Sequence, residues 1–198
     1  MKGQNQLCGA SSPFAGGKRV LILLAPGFEE IEAVTVIDIL RRAGVEVIAA
    51  GTVEGPIEGA RKVKVLADLS IDRVTGSDYD LIVLPGGQPG TDHLAKDERV
   101  RRILNEAAAK ERHIAAICAA PSILAAAGLL AGKKGTSHPS VRGRMEGVDY
   151  SEARVVVDGR WVTSRAPGTA MEFAFELVRL LAGEEKVKEV NQGVMARL

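Results

Sequence analysis

Short, continuously apolar runs alternate with amphipathic stretches along this chain, and Gly or Pro turns separate most of them. Val20–Ala25 is apolar at every position, as in a strand covered on both faces. Pro26 and Gly27 close it. From Ile31 to Ala43, the residues Ile31, Val34, Ile37/Asp38 and Arg41 recur at helical spacing, and Gly44 ends the segment. Val45–Ala50 predicts a second strand, and Lys62–Leu66 an edge strand or hairpin arm. Asp80–Leu84 predicts a third buried strand, closed by Pro85-Gly86-Gly87. Asp97–Lys110 reads as a surface helix with Val100, Ile103, Leu104 and Ala107 on one face. Ile114–Ile117 is a fourth strand, running into Cys118 and a helix over Pro121–Ala127. Arg154–Val157 and Arg160–Thr163 flank Asp158-Gly159, a pair suited to a two-residue hairpin turn. Thr169–Leu181 predicts a last long helix and Glu184–Val194 another.

Strands alternating with helices predict an α/β fold: a mostly parallel sheet with helices on both faces, to which the hairpin adds an antiparallel component. Such sheets bind ligands beyond the carboxyl ends of their strands. Pro26-Gly27, Pro85-Gly86-Gly87 and Cys118 all fall at such ends. The 198 residues suit one domain over 18–198, preceded by a flexible leader at 1–17. The leader lacks the continuous apolar core of a secretory signal. No apolar run approaches the ~20 residues of a membrane span. Basic residues number 26 and acidic residues 25, a balance that argues against a dedicated nucleic-acid binder. Two cysteines, Cys8 and Cys118, exclude a disulfide scaffold and fit a reducing, cytoplasmic setting.

Cys118 carries the candidate chemistry. A strand enters it, small residues flank it and a helix leaves, which is the layout of a nucleophile elbow. N–H groups at that helix start would stabilise a thiolate or an oxyanion, and predict a thiol more acidic than the ~8.5 of free cysteine. The same pattern also suits a cysteine buried as a small hydrophobe. Gly86 and Gly87 offer backbone donors for an oxyanion, or simply a tight turn. Of the three histidines, His93 and His113 suit solvent-facing roles, whereas His138 sits in a loop from which it can pair with a cysteine. Glu29, Glu30 and Glu32 start the first helix, where carboxylates complement the helix dipole. His138, Cys118 and the acidic residues lack zinc-site spacing, so no metal is expected.

Five segments together carry a family resemblance: Leu24-Ala25-Pro26-Gly27-Phe28-Glu29-Glu30-Ile31-Glu32-Ala33-Val34, Val83-Leu84-Pro85-Gly86-Gly87, Ala115-Ala116-Ile117-Cys118-Ala119-Ala120-Pro121, Thr136-Ser137-His138-Pro139 and Thr163-Ser164-Arg165-Ala166-Pro167-Gly168-Thr169. In this order and spacing the chain resembles the DJ-1/ThiJ/PfpI superfamily from about Lys18 to its C-terminus. The resemblance implies a flavodoxin-like sandwich of the class I glutamine-amidotransferase kind, and a homodimer. It implies Cys118 as nucleophile, Glu32 as its carboxyl partner and His138 as the histidine near the cysteine. Gly86, Gly87 and Ala119 would bind substrate and oxyanion, with Glu32 protonated near neutral pH. Arg42 and Arg61 match arginines of an anion-friendly region at the dimer interface. Ala166 departs from the family's glycine and is expected to narrow the pocket. The implied activity is a cofactor-independent glyoxalase or deglycase acting on small reactive aldehydes or glycated protein side chains. The alternatives are a redox sensor or chaperone built on the same thiol and, ranked last, a cysteine peptidase.

Overall fold

A computed structural model describes residues 17–197. Except for Gly17, the expected leader lies outside the described residues, and Cys8 with it. In chain order the strands are β1 (Arg19–Leu24), β2 (Glu46–Gly51), β3 (Pro56–Glu58), β4 (Lys64–Leu66), β5 (Leu69–Ser70), β6 (Leu81–Leu84), β7 (His113–Ile117), β8 (Lys134–Gly135), β9 (Asp149–Tyr150), β10 (Val155–Asp158) and β11 (Trp161–Ser164). The helices are α1 (Glu30–Arg42), α2 (Gly90–Lys96), α3 (Glu98–Ala109), α4 (Pro121–Ala126), α5 (Ala170–Ala182) and α6 (Glu184–Val194).

Seven strands form one sheet in the order β10-β11-β7-β6-β1-β2-β5. All its pairings are parallel except β10 with β11, the hairpin across Asp158-Gly159. Strand β1 shows why the predicted run is apolar throughout. Val20, Ile22 and Leu24 point to the layer of α1, α5 and α6, while Leu21 and Leu23 point to the layer of α2, α3 and α4. Side chains alternate across a strand, so a sheet covered on both faces needs apolar residues at both parities. From β1 the chain moves to β2 on one side, then returns to β6 on the other. That reversal opens a crevice at the carboxyl ends of β1 and β6.

One open choice is settled and one expectation changes. Lys62–Leu66 is a hairpin arm: β4 pairs with β3 in a separate two-stranded sheet. The face of α1 that packs on the sheet carries Glu32, Ala33, Val36, Ile39 and Leu40. Ile31 and Val34, which recur at helical spacing, are 55% and 47% exposed. The helix is apolar on two sides, and periodicity alone does not say which side meets the sheet. Finally, His113 is half-buried, with its Nδ1 buried and unpartnered among the described residues, and burial holds its imidazole below the ordinary pKa. His93 is exposed as expected, with Nδ1 2.8 Å from the Pro26 carbonyl.

Candidate active site

The carboxyl ends of β1, β6 and β7 converge on one pocket. Glu29 caps α1, its Oε2 accepting the Glu32 N–H at 2.9 Å. One turn into the helix, Glu32 points back under the sheet ends and is fully buried. Its Oε2 accepts the Gly86 N–H at 2.7 Å. Its carboxyl interacts with the Cys118 thiol, yet by distance and angle Oε1 forms no complete hydrogen bond.

Cys118 follows β7 with a φ of 63°. A side chain other than glycine is strained there by about 1–3 kcal/mol, and surrounding contacts must hold it. The Cys118 N–H donates to the Ser164 carbonyl at 2.9 Å, and the Cys118 carbonyl accepts from the His138 N–H at 2.7 Å. The elbow is thereby pinned between the end of β11 and the 136–139 loop. Gly86 makes the close approach possible: a β-carbon there would lie 2.7 Å from Cys118 Cβ and 2.8 Å from Glu32 Oε2. Gly87 has a φ of 93° and packs against the backbone of residues 27–29, so it too excludes a side chain.

The electrostatics follow from this burial. Desolvation lifts the Glu32 carboxyl from 4.5 to about 7, opposed by the Cys118 thiol and the Gly86 N–H and aided by the Glu29 charge. Desolvation and the Glu32 charge push the Cys118 thiol from 9.0 to about 12, opposed by the Ala119 and Gly87 N–H groups. A thiol acidified on its own account is therefore not what forms here. Two anions in one dry pocket disfavour each other, so the pair shares a proton and holds a single charge at mildly alkaline pH.

A cavity of about 270 Å³ opens over the sulfur, lined by Cys118, Ala119, Gly87, Glu29, Arg61, Gln88, His138, Ser140 and Pro167. It contains most, but not all, of the expected residues. Gly86 lies beneath it, its N–H spent on Glu32, so the donors aimed at the sulfur belong to Gly87 and Ala119. His138 lines the cavity, but its Nδ1 is 2.7 Å from Ser140 Oγ and accepts the Ser140 N–H at 3.2 Å. Arg61 reaches the cavity. Arg42 does not: it pairs with Asp38 at 2.7 Å on the last turn of α1 and lines a separate cleft beside α5 and α6. Ala166 is extended (φ −167°, ψ 170°), a conformation open to any residue, and the cavity wall is formed by its neighbour Pro167. Sequence reasoning missed Ser164 as the anchor of the elbow, because a main-chain carbonyl leaves no mark in the sequence. Among the described residues no group of three or more His, Cys, Asp or Glu side chains is arranged to hold a metal ion.

Residues 18–180 match the DJ-1/PfpI family. This chain belongs to that family. It is 41% identical to protein dj-1beta of Drosophila melanogaster over 90% of this chain and 97% of the fly protein. The fly DJ-1beta crystal structure superposes with a TM-score of 0.88, covering 92% of this chain and all of that one, so the sandwich is of the flavodoxin-like DJ-1/PfpI kind. A Pyrococcus abyssi protein named a deglycase is 38% identical over 82% of this chain and 99% of its own length. A Caenorhabditis elegans protein named glutathione-independent glyoxalase DJR-1.2 is 36% identical over 89% and 95%. The DJ-1/PfpI match spans every element from β1 through most of α5.

Proposed function

We propose that this chain is a cofactor-independent glyoxalase or deglycase that uses Cys118 as nucleophile and Glu32 as general acid and base. The observation that carries this reading is the strained Cys118 elbow, which lines a cavity and is held against the fully buried Glu32 carboxyl. The names of the Pyrococcus and Caenorhabditis relatives support the same class of activity.

With the shared proton on Glu32, the thiolate attacks the aldehyde carbon of methylglyoxal and forms a carbon–sulfur bond. The new alkoxide sits by the Gly87 and Ala119 N–H groups and takes the proton from Glu32. Glu32, now ionised, removes the hydrogen from the same carbon as a proton, giving an enediolate; the proton of the first oxygen passes to the second, and Glu32 returns its proton to the neighbouring carbon, leaving a carbonyl on the carbon that holds the sulfur. The resulting thioester is hydrolysed by water to lactate, and the thiol is regenerated. Glyoxal gives glycolate by the same steps. Early adducts of these aldehydes on protein side chains present the same carbon to the sulfur, with the amine as leaving group. Methylglyoxal consumption and lactate release by the wild type, set against Cys118→Ser, test this directly. The serine variant is expected to lose activity at least ~10³-fold. Equal rates in the two proteins would reject the reading.

A second reading rests on Glu32 itself. A buried carboxyl that keeps a proton near neutral pH is a donor placed beside an oxidisable sulfur, and it would stabilise a sulfinate. Intact mass after mild peroxide, compared with turnover, separates the two roles. A peptidase is the poorest fit, because His138 directs Nδ1 to Ser140.

The chain is also proposed to form a homodimer. Ile31, Val34, Val63 and Leu66 are exposed by 45% or more around the start of α1 and the β3–β4 hairpin. A covered apolar surface of this kind is what a two-fold partner supplies. Light scattering is expected to give the dimer mass at micromolar concentration, and a monomer mass would reject it.

A further inference from the structure

Glu30 takes no part in the chemistry above, yet it is a carboxylate only 8% exposed. Its Oε1 accepts the backbone N–H of Arg61 at 2.6 Å and that of Val63 at 3.3 Å, and its Oε2 is buried without a partner among the described residues. The segment it fills is a tight turn. Gly59 N–H donates to the Val63 carbonyl at 2.8 Å, Lys62 N–H donates to the Gly59 carbonyl at 3.1 Å, and Lys62 has a φ of 73°. Ala60 N–H ties the turn to the Phe28 carbonyl at 2.8 Å. Gly59 lies so close to Glu30 that a β-carbon there would overlap the carboxylate. Arg61 on this turn lines the Cys118 cavity, and its Nη1 donates only to the Ala60 carbonyl, at 3.4 Å, among the described residues.

A buried carboxylate is costly unless backbone or cationic donors compensate it. Here the compensation comes from a turn with one strained residue and few other ties to the body of the fold. We infer that Glu30 is a positioning residue: its carboxylate seats the 59–63 turn and so holds the Arg61 guanidinium on the cavity wall, facing the carboxylate that the reaction produces. The inference rests on the glyoxalase reading in one respect, since that reaction turns a neutral aldehyde into an anion. It differs from the chemistry in acting through Arg61 rather than on the sulfur.

Protection of Cys118 from iodoacetamide by sodium glycolate reads the anion site without any turnover. Peptide mapping separates Cys118 from Cys8. Glycolate is expected to slow alkylation of the wild type. The concentration giving half protection should rise about fivefold or more in Glu30→Ala, the loss of charge-assisted hydrogen bonds to the turn. Arg61→Ala should show the same rise, and the double variant no further one, because both act at one guanidinium. Glu30→Gln keeps the Oε1 acceptor and should stay within about twofold of wild type. Gly59→Ala displaces the carboxylate from the other side and should reproduce Glu30→Ala, which covers the case in which Glu30→Ala does not fold. Unchanged protection in folded Glu30→Ala or Gly59→Ala, effects that add in the double variant, or no protection of wild type would each overturn the inference. Methylglyoxal turnover of the wild type, measured alongside, reports separately on the glyoxalase reading.

Discussion

Strand β6 has an acidic group at each end, and the two are treated in opposite ways. At its start, Asp80 accepts the Arg19 N–H at 2.9 Å and lies 3.4 Å from Lys18 and 3.5 Å from Arg112. Burial opposes its charge, but the Arg19 N–H, Lys18 and Arg112 outweigh burial and hold the carboxyl below its ordinary value. Just past its end, Glu32 has one backbone N–H, a neighbouring acid and a thiol, and burial lifts it to about 7. The two ends of one strand thus meet one carboxylate held in its charged form and one whose pKa is lifted towards neutrality. What separates them is the supply of cations and water, not the residue type. A proton carrier near neutrality is what acid and base catalysis needs, and a compensated ion pair is what a strand end needs.

The sharpest way to break this comparison is at Glu32. Glu32→Gln keeps the size and a hydrogen-bond donor but cannot exchange a proton, so steady-state methylglyoxal turnover is expected to fall about 10²–10⁴-fold. Retained wild-type turnover would reduce Glu32 to a structural neighbour of the thiol. Gly86→Ala should come next. Its new methyl is forced between Cys118 and Glu32, costing about 1–3 kcal/mol in urea unfolding and about 10²-fold in turnover. A fully active Gly86→Ala would mean the two side chains do not work at this separation.

The pH dependence of stability has opposite signs at the two ends. Glu32 has its pKa raised on folding, so its contribution is fully present below about 4.5 and is lost as pH rises through about 7. Replacing it by Gln should remove that loss, making the variant more stable than wild type at pH 8.5 by on the order of 1–3 kcal/mol, with little gain at pH 4. Parallel stability curves for the two proteins across this range would show the carboxyl is not raised. Asp80 has its pKa lowered, so its contribution is present above the ordinary carboxyl range and is lost as pH falls through its lowered value. Its ion pairs are partly exposed and screened, so Asp80→Asn should cost only about 0.5–1 kcal/mol at pH 7, vanish at low pH and leave turnover unchanged. The smallest effect is expected at Ala166. Its backbone is extended and it stays off the cavity wall, so Ala166→Gly should alter kcat and KM by less than about twofold.

Much of the framework was legible because it depends on local pattern. Continuous apolar runs marked the buried parallel strands, Asp158-Gly159 marked the hairpin, and a strand running into small residues and Pro121 marked the elbow at Cys118. The sheet-facing side of α1 was not legible, since Ile31 and Val34 are as apolar as Val36 and Leu40. Nor was the division of labour between Gly86 and Gly87, which depends on which N–H meets Glu32. Glu30 read as a dipole-complementing acid, because its partners are backbone N–H groups in a turn 31 residues away that any sequence would offer.

By itself, the sequence determined the strand and helix alternation and the strand ends at which chemistry collects. These follow from side-chain polarity and turn chemistry, which act over a few residues. The grouping of Cys118, Glu32 and His138 came from the family resemblance. Tertiary structure alone decided the charge each group carries and the work it is free to do. Burial set the shared proton of Cys118 and Glu32, the Ser140 contact took Nδ1 of His138, and the 59–63 turn delivered Arg61 but not Arg42 to the cavity. Desolvation and hydrogen-bond supply depend on what the folded chain packs around a group, and that is assembled from segments far apart in the sequence.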